Sequence, residues 1–246
     1  MNHKKIEELI KQIKYHRDLY YNKQPKISDA KFDAIEDELR QLDPNNPLLH
    51  KIGVDSSELF NKKEHIIPMM SQDKVMTPAD FKKWSKKRNI NEFIVQYKLD
   101  GISIELQYKN GVFDCALTRG DGIIRDDVSV NVMKMNGFLP RLTSNFTGAI
   151  RGEVLMFHDI YSKKYKDKQN CRNAAAGIVR RKDGLGNEDL NVIFYDAISM
   201  NDEIDYKTEL EKVAWLKQEN FPCVDAKMMK SQERVIKFRQ EVMDVL

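Results

Sequence analysis

Cysteine is scarce in this 246-residue chain: Cys115, Cys171 and Cys223 lie far apart, with no C-x-x-C pair. That argues against a disulfide framework and against a cysteine-built zinc site. Long apolar runs are also missing, and nothing approaches the roughly 20 residues a membrane-spanning helix needs. The N-terminus, MNHKKIEELIKQ, lacks the apolar stretch of a secretory signal, so a cytoplasmic location is expected. Neither sign of charge dominates. The net charge of +3 is too small to announce nucleic-acid binding by itself, and clusters such as KKWSKKR (82–88) and VRRK (179–182) read first as solvated faces. No internal repeat or low-complexity segment is present. What remains is 41% apolar and 32% charged residues, an ordinary globular balance in a chain long enough for one large domain, or one large and one small.

The first sixty residues predict helices. Ile6, Leu9, Ile10, Ile13 and Tyr20 share one helical face; after KQPK, Ser28 or Asp29 can cap a second helix carrying Phe32, Ile35, Leu39 and Leu42. LDPNNP stops it. From about residue 65 the character changes. Thr77 caps a short helix with Pro78 in its first turn. Val95, Tyr97 and Leu99 then alternate with Gln96 and Lys98, and the apolar phase slips by one at Asp100-Gly101 to Ile102, Ile104, Leu106 and Tyr108. Such a slip is a hairpin or bulge signal. KNG (109–111) predicts a hairpin before VFDCALT. There follow a turn at RGDG (119–122), strands at 148–156 and 190–198, a small-residue helix at 172–181, and two closing helices, the last carrying Val235, Phe238, Val242 and Val245. The fold class is α+β: a helical hairpin domain, 1–62, then a mixed, mainly antiparallel sheet domain, 63–246.

Lys98 is the residue on which function turns. An ordinary lysine, with pKa about 10.4, is a poor nucleophile near neutrality, yet one facing a cleft at a strand end can be activated by cations or desolvation. K-x-D-G alone is weak, with roughly one chance match per twenty chains of this length. The surrounding blocks sharpen it. YKLDGISIELQYKNGVFDCALTRGDGIIRDDVSVNV, IRGEV, NCRNAAAGIVRR and VIFYDAI, in this order and spacing, resemble the NAD-dependent DNA ligases. LYYNKQPKISDAKFDAIEDEL resembles their N-terminal nicotinamide-binding domain, and HIIPMMSQDKV their linking segment. The resemblance covers essentially the whole chain.

It implies a nucleotidyltransferase (ATP-grasp-like ligase) fold. In the implied reaction Lys98 takes AMP from NAD with Mg²⁺ present, for sealing nicked double-stranded DNA in replication and repair. It further implies cofactor contacts from Tyr20, Tyr21, Asp29, Ala30, Lys31, Phe32 and Asp33 on the nicotinamide half, and from Ser71 and Gln72 in the linking segment. Gln96, Asp100, Arg119, Glu153 and Tyr195 would surround the adenylate; Arg172 and Arg180, eight apart on one helix face, would contact DNA phosphates. No protein-built metal site is expected. Read without the family, Asp29 is a helix cap, Arg119 a turn arginine, Tyr195 a core tyrosine, and Glu153 an ion-pair partner of Arg151. Three positions depart from the family pattern: Gln96 replaces a glutamate, Phe32 a tyrosine and Cys171 a proline. The family's later phosphate-contacting lysine blocks and its OB-fold do not occur in these residues. The domain is therefore expected to lack its last strands, either as a truncated form or, as favoured here, as one subunit of a split phage or viral ligase completed by a second polypeptide. A non-catalytic NAD-binding or regulatory subunit, and an RNA-end or ATP-using adenylyltransferase, are the rival readings.

Overall fold

Leu9 and Ile13 bury fully against Leu39, as their helical spacing predicts, and Ile6, Ile10, Phe32, Ile35 and Leu42 pack around them. In the computed structural model, which describes residues 2–22, 26–50, 62–69, 74–119, 124–200 and 204–245, these side chains join α1 (Asn2–Asn22) to α2 (Asp29–Leu42). Ser28 is the N-cap of α2, its hydroxyl accepting the Lys31 N–H, so Asp29 is the first helical residue instead. A further short helix, α3 (Pro47–His50), begins on the last proline of LDPNNP. Arg17 ties all three together, bonding Glu36 at 2.7 Å and the Leu48 carbonyl at 3.0 Å.

β1 (Lys62–Glu64) opens the second part. In α4 (Pro78–Lys87) the Thr77 hydroxyl caps by accepting the Asp80 N–H, with Pro78 in the first turn. β2 (Phe93–Gln96), β3 (Ile102–Lys109) and β4 (Val112–Thr118) follow. β3 and β4 make the predicted hairpin: Asn110 and Gly111 both have positive φ, 50° and 72°, the two-residue turn whose twist suits adjoining strands. Then come β5 (Ile124–Asp126), α5 (Ser129–Val132), β6 (Gly148–Met156), α6 (His158–Lys164), α7 (Cys171–Val179), β7 (Leu190–Ser199), α8 (Glu209–Gln218), β8 (Ala226–Met229) and α9 (Gln232–Met243).

Among the described residues these strands form three antiparallel sheets, ordered β4-β3-β6-β7, β2-β8 and β1-β5. The sheet assignment corrects one expectation. β2 and β3 do not pair, so the phase slip at Asp100-Gly101 is a crossing between two sheets, not a hairpin or a bulge. The strand before it ends at Gln96, and Tyr97, 49% exposed, rests on the Phe238 ring of α9 with centroids 5.8 Å apart. One face of the large sheet carries Ile104, Leu106, Ile150, Val154, Val192 and Phe194, buried against Ala174, Ala175, Ile178 and Val179 of α7 and Leu216 of α8. The opposite face carries the polar residues of the same strands. No helix among the described residues is long and apolar enough to cross a membrane.

Candidate active site

Period-two alternation puts Ser103, Glu105 and Gln107 of β3 beside Arg151 and Glu153 of β6, opposite the core. Ser103 pairs with Glu153 and Glu105 with Arg151. On β7 the register shifts at this level: Arg151 partners Asp196 while Gly152 partners Phe194. Tyr195 is thus the extra residue of a β-bulge, a device that re-aims a side chain.

The crossing segment Tyr97–Gly101 ends against this face. Gly101 donates its N–H to Glu153 Oε1 at 3.2 Å, and Ser103 Oγ donates to Oε2 at 2.9 Å. A Cβ on Gly101 would stand 2.1 Å from the Val154 carbonyl oxygen, so only glycine lets the segment lie this close to β6. Lys98 is exposed, with its charge felt at Glu153. Arg172, at the start of α7, holds Asp100 at 2.9 Å. Burial raises the Glu153 pKa, although Ser103, the Arg172 charge, the Gly101 amide and Lys98 pull the other way. The Tyr195 phenol is pushed up to about 12, by burial first and then by the Glu153 charge.

An exposed lysine beside a half-buried carboxylate, with an arginine and an aromatic residue close by, suits nucleotide chemistry. The comparisons with known proteins decide the family. A model described as the NAD-dependent DNA ligase adenylation domain matches residues 57–245, and one described as the DNA ligase-like, N-terminal NAD+-binding domain matches 1–56. The chain belongs to the NAD-dependent DNA ligases. It is 48% identical to a DNA ligase of Treponema denticola, 44% to one of Treponema pallidum and 34% to one of Sorangium cellulosum, over 98%, 98% and 88% of its length. It spans only 40%, 31% and 36% of those curated relatives. Among solved structures, one titled Pmar-Lig_Pre. overlays with a TM-score of 0.44 at 13% identity, covering 85% of this chain and 44% of that one, too loosely to carry an argument.

Of the ligase residues expected from sequence, Lys98, Asp100, Glu153, Arg172 and Tyr195 converge in one place. Gln96 stands at the end of β2, opposite Ala226. Arg119 directly follows β4 and donates from Nε to the Met69 carbonyl at 3.1 Å. Phe32 packs on the hairpin core, Lys31 is exposed, and Asp33 bonds Lys74 at 3.0 Å. The side chains of Tyr20, Tyr21, Asp29 and Ala30, all of Ser71 and Gln72, and the RGDG turn beyond Arg119 lie outside the described residues. Arg172 lies in the first turn of α7 and Arg180 is its C-cap, one residue past the helix.

Arg151 does not pair with Glu153. It bonds Glu105 from Nε at 3.1 Å and also donates to the Ile67 carbonyl. Glu105, His65 and Ser103 were not singled out from sequence. The signal was there for two of them: Ser103 and Glu105 are the polar phase of an alternating strand, and a carboxylate in mid-strand demands partners.

Proposed function

We propose that this chain is the adenylation module of an NAD-dependent DNA ligase, with residues 1–62 engaging the nicotinamide half of the cofactor and 63–246 the adenylate. The observation that carries this is Glu153, held by the Gly101 amide and Ser103 beside Lys98 in a chain of this family. Lys98 Nζ, once deprotonated, attacks the adenylyl phosphorus of NAD. The N–P bond forms, the P–O bond to nicotinamide mononucleotide breaks, and AMP stays on the lysine. AMP then passes to the 5′-phosphate of a nick, and the 3′-hydroxyl displaces it. Glu153 faces the ribose, Tyr195 the adenine, and Arg119 adds positive charge where the phosphate sits. Arg172 and Arg180 suit DNA phosphates, although the Arg172–Asp100 pair puts the first of them next to the nucleophile.

Among the described residues no three His, Cys, Asp or Glu side chains cluster as a metal cage. Asp100, two residues from Lys98, and Glu153, which feels the Lys98 charge, suit Mg²⁺ that arrives on the cofactor phosphates. When bound, such an ion neutralises charge on the transferring group. A second polypeptide, or further residues, carrying the family's remaining lysine blocks and OB-fold would complete a cytoplasmic enzyme. The groove between β8 and α9, lined by Met228, Met229 and Phe238 with Lys227, Arg234, Lys237 and Glu241, suits such a partner, and among the described residues β8 pairs on one side only, with β2.

The test is adenylation itself. With NAD, Mg²⁺ and the completing segments, the chain is expected to gain one acid-labile, base-stable AMP by mass spectrometry. Lys98→Arg is expected to abolish it, because a guanidinium stays protonated. Labelling that survives the substitution refutes the assignment.

A further inference from the structure

Glu105 is the most enclosed acidic group on the sheet: its side chain is fully buried, yet the reaction above gives it no task. Its partners come from two directions. Oε1 accepts from the Ile66 amide at 3.3 Å and from Gln107 Nε2 at 3.0 Å, and lies 3.0 Å from His65 Nδ1; Oε2 accepts from Arg151. Two of these partners belong to the sheet and two to the linking segment. The other anchors follow the same pattern. Gln107 also donates to the Glu64 carbonyl at 3.1 Å, Arg151 to that of Ile67, and Arg119 to that of Met69. From residue 64 to 69 the segment is therefore held by side chains of β3, β6 and the end of β4, with Glu105 at the centre.

We infer that Glu105 is a positioning residue for the NAD-dependent step, tethering the segment that joins the two domains and so setting where the helical hairpin meets the adenylate site. The inference rests on the proposed function. Glu105 lies two residues from Ser103 and Arg151 two from Glu153, so the tether row borders the cofactor row at one pleat repeat, about 7 Å. Beyond the tether, Lys74 reaches Asp33 on α2. A carboxylate offers about four acceptor sites, and here three hydrogen bonds and the His65 contact gather on them, three of the four at Oε1. Removing it leaves Arg151 Nε and the Ile66 amide without their acceptor, and a segment released from such bonds can shift against the sheet.

Calorimetric titration of the full 246-residue chain with NAD, and separately with AMP, tests this alongside amide exchange at Ile66. Glu105→Ala is expected to weaken NAD about tenfold, the loss of one charge-assisted hydrogen bond, while AMP binding holds and Ile66 exchange accelerates. Glu105→Gln keeps one acceptor and is expected to fall between; it carries the same test if the alanine form does not fold. Equal weakening of both ligands would make Glu105 a mere sheet brace, and unchanged NAD binding or unchanged Ile66 exchange would equally overturn the inference. A wild-type chain that binds AMP as tightly as NAD would count instead against the hairpin's role in the proposed function, and Ile66 exchange would still judge the tether.

Discussion

Glu105 and Glu153 lie on one face of neighbouring strands, and burial drives both toward the neutral form. Their surroundings send them apart. For Glu105 the bonds from His65 and Gln107 and the charges of His65 and Arg151 outweigh burial, so its pKa falls; for Glu153 burial wins and its pKa rises. The native chain therefore binds the Glu105 proton more weakly than the unfolded chain, and the Glu153 proton more tightly. Stability from Glu105 is present above the ordinary carboxylate range and lost as pH falls through its lowered pKa. Ionised Glu153 does the reverse, costing stability once pH rises above that range. Thermal melts from pH 3 to 7.5 should show Glu105→Gln less stable than wild type at pH 7, by several degrees, and Glu153→Gln equal or more stable. Both gaps should close in acid; shifts of the same sign at pH 7 would refute this reading of the two sites. None of it was visible in the sequence, where Arg151 stood two residues from Glu153 and its true partner lay 46 residues away. Alternation reports a shared face, but only the register of a neighbouring strand reports who faces whom.

At the scale of elements, local chemistry was enough wherever the signal was local. The Thr77 cap, the Asn110-Gly111 turn and the strand bounds Gly148–Met156 follow from residues within reach of one another. β8 escaped, since Ala226–Met229 is short, does not alternate in polarity, and exists because β2 pairs with it. The sheet crossing at Asp100-Gly101 escaped for a related reason: a phase slip looks alike whether the next strand pairs back or joins another sheet. The Tyr195 bulge needs the partner strand to be seen at all. For the hairpin, the expectation is a division of labour. On the proposed function it meets only the half of NAD that leaves, so Asp33→Ala is expected to slow adenylation by NAD at least tenfold, in the range of one lost charge-assisted contact. In the completed enzyme it should leave sealing of an already adenylated nick nearly unchanged. Paired rate measurements check this, and equal losses in both would make Asp33 a brace held by Lys74.

On the whole-molecule scale, the chain spans 31–40% of the three curated relatives compared above. The described residues supply Lys98, Arg119 and Glu153, while the family's later phosphate-contacting lysines are not among the 246. Each such charge is worth several kcal/mol to a transferring phosphate in a dry site. The 246 residues alone are thus expected to bind NAD yet adenylate very slowly and seal no nick, with sealing restored by a polypeptide carrying the missing blocks, using NAD but not ATP. A gel assay of nick closure decides it, and efficient sealing by the 246 residues alone would refute the need for more. One contact has a consequence for the making of the protein. The bond from the Gly101 amide to Glu153 spans 52 residues of chain, so it cannot form until β6 has been synthesised and has docked on β3. During translation Lys98 emerges early, and its place beside Glu153 arrives with a late, long-range closure of the kind that folds slowly. On the proposed function, an unfinished or misfolded chain would hold Lys98 without its carboxylate wall and is expected to consume no cofactor.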